Sequence, residues 1–227
     1  MHTLTDISFA LDAEALRSEL HVEPDTADAH ALADLVRRAR DTARPKAAFR
    51  ELFIQAKHAR TVQVDGVVLR SRALARQLAS AQRMFAFVAT CGREVLDAAP
   101  ADGDPLLGYA WEAIKAQLLT AARCALRDRL HAAYRLEKTA TMSPGAGDAD
   151  VWPIQEQGPL FALLGGAARA VGVELTDSYL MVPNKSVSGV RFPTELDFHS
   201  CQVCCREGCP SRSAPFDPAL WRTLHED

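Results

Sequence analysis

The chain lacks a long apolar run, an excess of basic residues and a leader-like N-terminus. Its uninterrupted apolar stretches all stay well short of the roughly 20 residues needed to span a bilayer, so we expect no membrane segment. The net charge is −3, which argues against nucleic-acid binding because that binding relies on a basic face. The first six residues combine no basic region with an apolar stretch, so we expect no signal peptide and a cytoplasmic location.

The sequence also lacks a common catalytic motif, an internal repeat and a low-complexity tract. His58 and His131 have no neighbours in the pattern of a catalytic triad, and we interpret both as structural histidines. We therefore predict no catalytic side chain. What remains is an ordinary globular composition, 48 % hydrophobic and 24 % charged over 227 residues. That length buries a sizeable core as one domain, or as one domain with a small appendage.

Apolar periodicity predicts several helices. The longest pattern begins at Asp104 and ends near Leu136, with its apolar residues on one continuous stripe. Asp12 and Asp25 have the chemistry of helix N-caps. The predicted helices cover residues 12–20, 27–43, 71–80, 104–136 and 160–171.

Strand signals are interleaved with these helices. Residues 61–69 place an Asp65-Gly66 pair between β-branched residues, which predicts a tight hairpin. Residues 83–90 indicate a buried strand. Residues 47–54 are ambiguous between a strand and a helix, and further strands are predicted over 178–182 and 186–192. Mixed elements without regular βαβ alternation predict an α+β fold.

Residues 142–189 are dense in Gly, Pro, Ser and Thr between apolar runs. Glycines let another molecule approach the main chain closely, and prolines fix the direction of approach. This stretch also resembles the activation domain of cobalamin-dependent methionine synthase. The motifs that carry the resemblance are Ser143-Pro144-Gly145-x-Gly147-Asp148, Trp152-Pro153, Leu175-Thr176-x-Ser178 and Lys185-Ser186-Val187-Ser188-Gly189.

The resemblance implies a bent, mainly antiparallel sheet covered by long helices, and it favours a strand over residues 47–54. It implies that S-adenosylmethionine is presented to the inactive cobalt(II) cofactor of a partner, either a methionine synthase or a related corrinoid methyltransferase. One electron, from a separate donor, and one methyl group then restore methylcobalamin. The implied ligand contacts are Ser143, Pro144, Gly145, Ala146 and Gly147 on one side, and Glu112, Lys185 and Ser186 on the other.

Simpler interpretations of these residues stay open. The glycines also suit plain turns, and Glu112 and Lys185 also suit a solvated surface. Two positions depart from the family: Thr141 and Ala146 stand where it carries an arginine and a tyrosine. Thr120 stands where the long helix of many members carries an acid. Losing two or more anchors weakens a micromolar ligand by several factors of ten, so we expect weaker binding of S-adenosylmethionine than in the family.

A cysteine-rich tail, residues 196–227, follows a first domain that we place at residues 1–195. It carries Cys201, Cys204, Cys205 and Cys209, with His199 and Arg212 nearby. Clustered thiolates bind zinc or an iron–sulfur cluster, and short stand-alone relatives of the activation domain have the same tail spacing. The sequence leaves four alternatives open: an iron–sulfur cluster, a zinc site, free thiols, and a disulfide pair under oxidation. Arg212 either neutralises such a cluster or is an ordinary surface arginine.

Three functions follow from these observations. The first is support of cobalamin reactivation through S-adenosylmethionine. The second is a scaffold that no longer binds this donor, with a tail cluster that passes electrons to cobalt or a zinc that orders the tail. The third is an interaction protein without either ligand, which leaves the cysteine spacing unexplained. We place the first ahead of the other two.

Overall fold

The computed structural model describes residues 1–100, 103–146, 151–195, 198–209 and 212–225. The strands are β1 (His2–Leu4), β2 (Lys46–Lys57), β3 (Thr61–Val64), β4 (Val67–Arg70), β5 (Arg83–Thr90), β6 (Thr139–Met142), β7 (Glu174–Leu175), β8 (Met181–Val182) and β9 (Ser186–Pro193). The helices are α1 (Ala13–Glu19), α2 (Ala27–Thr42), α3 (Arg72–Gln77), α4 (Glu94–Asp97), α5 (Pro105–Tyr134), α6 (Gln157–Leu164), α7 (Gly166–Ala170) and α8 (Pro218–His225).

Seven strands form one sheet in the order β4-β3-β2-β5-β9-β6, with β1 beside β2. All the strand pairs described in it are antiparallel. Strand β2 is long enough to pair with β1 near its start and with β3 near its end, and its register shifts between Ile54 and Ala56. Strands β7 and β8 form a separate antiparallel pair. The predicted α+β class with a mainly antiparallel sheet is confirmed.

Helices cover both faces of the sheet, and β5 shows this most clearly. Met84, Ala86 and Val88 pack into the core on the side of α3, α6, α7 and α8. Phe85 and Phe87 alternate with them and pack against α5 on the other side. A strand buried on both faces is apolar throughout, which explains why its sequence shows no alternation. A third core lies where α1, α2 and α5 meet.

Several predicted elements are confirmed. Asp104 caps α5 by accepting from the backbone N–H groups of Leu106 and Leu107. Asp65 and Gly66 join β3 to β4, and their φ angles of 49° and 76° are the two positive values that a type I′ hairpin needs. The predicted strand over 83–90 has the bounds of β5.

Other predictions need correction. Thr26, not Asp25, caps α2, because Asp25 has a φ of 59° and only Thr26 has the extended backbone of an N-cap. The helix predicted over 160–171 is two helices, α6 and α7, since Gly165 has a φ of 55° and ends the first. The strand predicted over 178–182 shrinks to β8, because residues 176–180 form a turn. The sequence prediction also missed β1 and β6.

The described part of the cysteine tail packs on the body of the fold. Phe198, Val203 and Leu224 are each less than 9 % exposed and belong to the same core as Met84. A boundary between residues 195 and 196 stays a prediction. Among the described residues, none of the helices has both the length and the apolar character to cross a bilayer.

Candidate functional site

An open cleft of about 660 Å³ lies at the end of the sheet where β6 finishes and β9 begins. That volume is within the range of roughly 300–1,000 Å³ typical of small-ligand sites. One wall consists of residues 143–146, which we call the ledge. The opposite wall comes from residues 176–188. The cleft therefore lies between the two parts of the Gly- and Pro-rich stretch that the sequence singles out.

The ledge is a turn held by its own backbone. Ala146 donates its N–H to Ser143 O at 3.2 Å, and Gly145 donates to Trp152 O at 2.8 Å. Gly145 has a φ of 75°, and a Cβ there would lie 2.4 Å from Ile154 Cδ1. Only glycine avoids both the strained backbone and the contact. Gly145 and Ala146 are exposed, so main-chain groups of the ledge are accessible from the cleft.

The opposite wall begins with a compact turn built on Thr176. Its Oγ1 accepts from the N–H of Leu180 at 3.1 Å, and its carbonyl accepts from Tyr179 N–H at 2.9 Å. This turn gives Tyr179 a φ of 62° and leaves Leu180 62 % exposed. Tyr179, Leu180 and Met181 therefore present aromatic and apolar surface to a ligand in the cleft.

A buried polar pair joins the two walls beneath the cleft. Ser188, on β9, donates to Gln157 Oε1, and Gln157 Nε2 donates to Pro144 O at 3.4 Å. Both side chains are almost completely buried, at 0 % and 2 % exposure. A buried amide with its hydrogen bonds made holds its neighbours in one arrangement. Gln157 thus fixes the distance between the ledge and β9.

One end of the cleft is charged. Lys115, on α5, is 5 % exposed, and its Nζ lies 2.5 Å from Glu112 Oε1 and 3.2 Å from Asn184 Oδ1. Glu112 Oε2 accepts from Asn184 Nδ2 at 3.2 Å and lies 3.4 Å from Lys185 Nζ. Burial acts to raise the pKa of Glu112, but the hydrogen bond and charge of Lys115, together with Asn184 and Lys185, outweigh it and the pKa is lowered. This end therefore carries two cations and one carboxylate.

The structure brings most of the predicted contact residues together. Ser143, Pro144, Gly145, Ala146 and Ser186 line the cleft. The predicted contacts Glu112 and Lys185 are behind its charged end, joined to it through Lys115 and Asn184. Gly147, the remaining predicted contact, lies outside the described residues.

Sequence reasoning missed three residues that shape the cleft: Lys115, Gln157 and Asn184. Lys115 follows Glu112 by one helical turn, which is a weak signal for an ion pair. Gln157 carries no local signal, because its partners Pro144 and Ser188 are distant in sequence. Asn184 follows a proline in what the sequence presents as an ordinary turn.

The tail thiols are not gathered into a metal site. Within the described ranges, which include Cys201, Cys204, Cys205 and Cys209, no three His, Cys, Asp or Glu side chains are arranged to hold a metal ion. No disulfide links the six cysteines, all of which are described. The predicted iron–sulfur or zinc site thus gains no support from this geometry.

Hydrogen bonds from Ser213 and Arg212 hold the described part of the tail. Cys201 Sγ accepts from the hydroxyl and N–H of Ser213 at 3.4 and 3.5 Å, and these bonds lower the pKa of its thiol. Arg212 donates to the carbonyls of Cys201, Cys204, Arg206 and Ala214. Arg212 therefore orders the tail backbone.

Comparisons with known proteins found structural similarity but no sequence match. No protein-family model matches the chain, and no curated protein sequence matches it. The fold is similar to the crystal structure of the MetH reactivation domain bound to AdoHcy, with a TM-score of 0.56. The two share 17 % identity over 88 % of this chain and 81 % of that chain. At this identity the likeness shows a shared fold.

Proposed function

We propose that this protein supports reductive methylation of the cobalamin cofactor of a methionine synthase, or of a related corrinoid methyltransferase, by holding S-adenosylmethionine in the cleft. The observation that carries the proposal is the cleft itself, which the ledge and residues 176–188 form together. The fold likeness to a MetH reactivation domain bound to AdoHcy supports it at the level of architecture.

The residues present fit a ligand of this kind. The ledge offers exposed main-chain groups beside Gly145, while Tyr179 and Leu180 offer aromatic and apolar surface for a nucleoside. The charged end at Lys115 and Asn184 offers donors and an acceptor for an amino-acid group. The work of this chain is positioning, because the reacting methyl and cobalt belong to the donor and the partner.

The proposed reaction requires that the cleft expose the methyl group of its ligand to the partner protein. S-adenosylmethionine, cob(II)alamin and one electron give methylcobalamin and S-adenosylhomocysteine. The methyl group must face a separate protein, so the cleft has to stay open on one side. The electron comes from a donor protein or chemical reductant. No metal in the tail is part of this proposal.

A single-turnover assay tests the function. A methionine synthase that lacks its own reactivation domain is loaded with cob(II)alamin and mixed with this protein, a reductant and methyl-labelled S-adenosylmethionine. We expect the cob(II)alamin absorbance to decay into that of methylcobalamin, with the label on the cofactor. Decay at the same rate without this protein would refute the proposal.

A further inference from the structure

Arg191, on β9, is a partly buried cation that no described carboxylate neutralises. Its Nη1 donates to Thr139 Oγ1 at 2.9 Å. Its Nε is buried and has no acceptor among the described residues. A guanidinium carries five N–H donors and cannot lose its charge at ordinary pH, so burying it without a carboxylate is costly.

Two more arginines raise that cost. Arg123 and Arg127 lie one turn apart on α5, which packs against Phe85 of β5, the residue paired with Arg191 across the sheet. Burial, and then the charges of Arg127 and Arg123, lower the pKa of Arg191. The one described carboxylate in the group, Asp128, is exposed and accepts from Arg127 Nε at 2.8 Å. Three guanidinium groups thus share a single described acid.

Thr139 extends the cluster on β6. Its hydroxyl accepts from Arg191, and it lies 3.3 Å from His131 Nε2, which is on α5. The hydroxyl oxygen is therefore already engaged by the protein. Arg191 Nη2 donates no described hydrogen bond, so the Nε and Nη2 edge of the guanidinium is the side left for a ligand.

Arg191 lies on the same face of β9 as a residue that lines the cleft and a residue that contacts the ledge. Residues two apart on a strand share a face, so Val187, Gly189 and Arg191 point to the same side of β9. Val187 lines the cleft, and Gly189 packs against Met142 O and Ser143 Oγ of the ledge. At about 3.3 Å per residue, Arg191 is roughly 7 Å beyond Gly189 along the strand.

We propose that Arg191, with Arg123, Arg127 and Thr139, forms a binding site for an oxyanion, either a carboxylate or a phosphate group. A pair of anionic oxygens accepts from a guanidinium edge in a bidentate contact. Such a ligand supplies the negative charge that the described residues do not. The site is separate from the cleft, so it stands or fails independently of methyl transfer.

Thermal unfolding at constant ionic strength tests the site, with sodium acetate and potassium phosphate as the probes and sodium chloride as the reference. At tenfold excess over its Kd, the bound anion should raise Tm by roughly 3–6 °C. A response to acetate alone identifies a carboxylate site, and a response to phosphate alone identifies a phosphate site. No saturable rise above chloride with either probe would refute the proposal.

Arg191→Gln should abolish the rise, while Arg129→Gln, a substitution of an exposed arginine on α5, should keep it. In chloride, Arg191→Gln should unfold at the wild-type temperature or above, because it removes an unneutralised charge. A large loss of stability in chloride would instead make Arg191 a structural residue and overturn the proposal.

Arg123→Gln gives a second readout, because this exposed residue is removed without disturbing the core. It should weaken anion binding by roughly tenfold, the size of one charge-assisted contact. Unchanged affinity in this variant, together with unchanged affinity in Arg127→Gln, would contradict a cluster of three arginines.

Discussion

Cys91, at the end of β5, is completely buried beside the charged end of the cleft. Burial raises the pKa of its thiol to about 11, although the nearby charge of Lys115 acts in the opposite direction. An exposed thiol in the unfolded chain ionises near pH 8.5. The folded protein therefore keeps a proton that the unfolded chain loses, and this thiol's contribution to stability falls as the pH rises from about 8.5 to about 11.

We predict that Cys91→Ala removes this part of the pH dependence. Between pH 8.5 and 10.5 the free energy of unfolding should fall more steeply in the wild type, by at most about 1.4 kcal/mol per pH unit. Urea titrations at several pH values measure the difference. Val95→Ala, at a buried residue without a titratable side chain, should keep the wild-type slope. Equal slopes in wild type and Cys91→Ala would contradict the predicted effect of burial.

For single residues, the sequence predicts contacts with near neighbours in the chain well and contacts with residues far along the chain poorly. Asp104 as a cap and Asp65-Gly66 as a turn were predictable, because each depends on neighbours within four residues. The contact of Lys115 with Asn184 was not, since it joins residues 69 positions apart. The unpaired Nε and Nη2 edge of the Arg191 guanidinium likewise depends on which acids fold beside it, which no spacing in the sequence shows.

Among the structural elements, the pairing of β6 with β9 decides whether the cleft exists. The register places Met142 opposite Val190 and Thr141 opposite Arg191, so the ledge leaves the sheet directly beside Gly189. The sequence did not indicate β6, because four residues give little periodicity and the partner strand is about 50 positions away. Gly165 and Gly166 lie inside the predicted helix over 160–171, and glycine disfavours a helix interior. Only the fold shows that Gly165 separates α6 from α7.

We predict that Gly189→Ala disturbs the contact between β9 and the ledge. A Cβ at residue 189 would lie 2.5 Å from both Met142 O and Ser143 Oγ, so the backbone has to shift. Overpacking of this kind costs about 1–3 kcal/mol of unfolding free energy. Guanidinium denaturation measures the cost.

Gly166→Ala, in α7, is the matched control. A Cβ there meets no atom within 4 Å. The substitution should therefore leave stability unchanged or raise it by up to about 1 kcal/mol, because alanine favours a helix. If both variants were equally stable, the tight contact at Gly189 would not exist in solution.

For the whole molecule, the sequence was sufficient for the fold class and for the two segments that form the walls of the cleft. Motifs at 143–148 and 175–189 resemble one domain family, and the architecture agrees with a MetH reactivation domain. The metal site predicted from cysteine spacing gained no support, because no three ligating side chains converge among the described residues. Spacing identifies side chains that can be ligands, but convergence depends on how the loop packs.

The central claim is that the cleft between the ledge and residues 176–188 holds an S-adenosyl ligand. Calorimetric titration with S-adenosylmethionine and with S-adenosylhomocysteine tests it most directly. Val187→Trp places an indole in the cleft, and Val68→Trp makes the same change on β4, outside it.

We predict saturable binding of both ligands by the wild type and by Val68→Trp, and at least roughly tenfold weaker binding by Val187→Trp, equivalent to about 1.4 kcal/mol. No heat at millimolar ligand, or equal affinity in all three proteins, would contradict the claim.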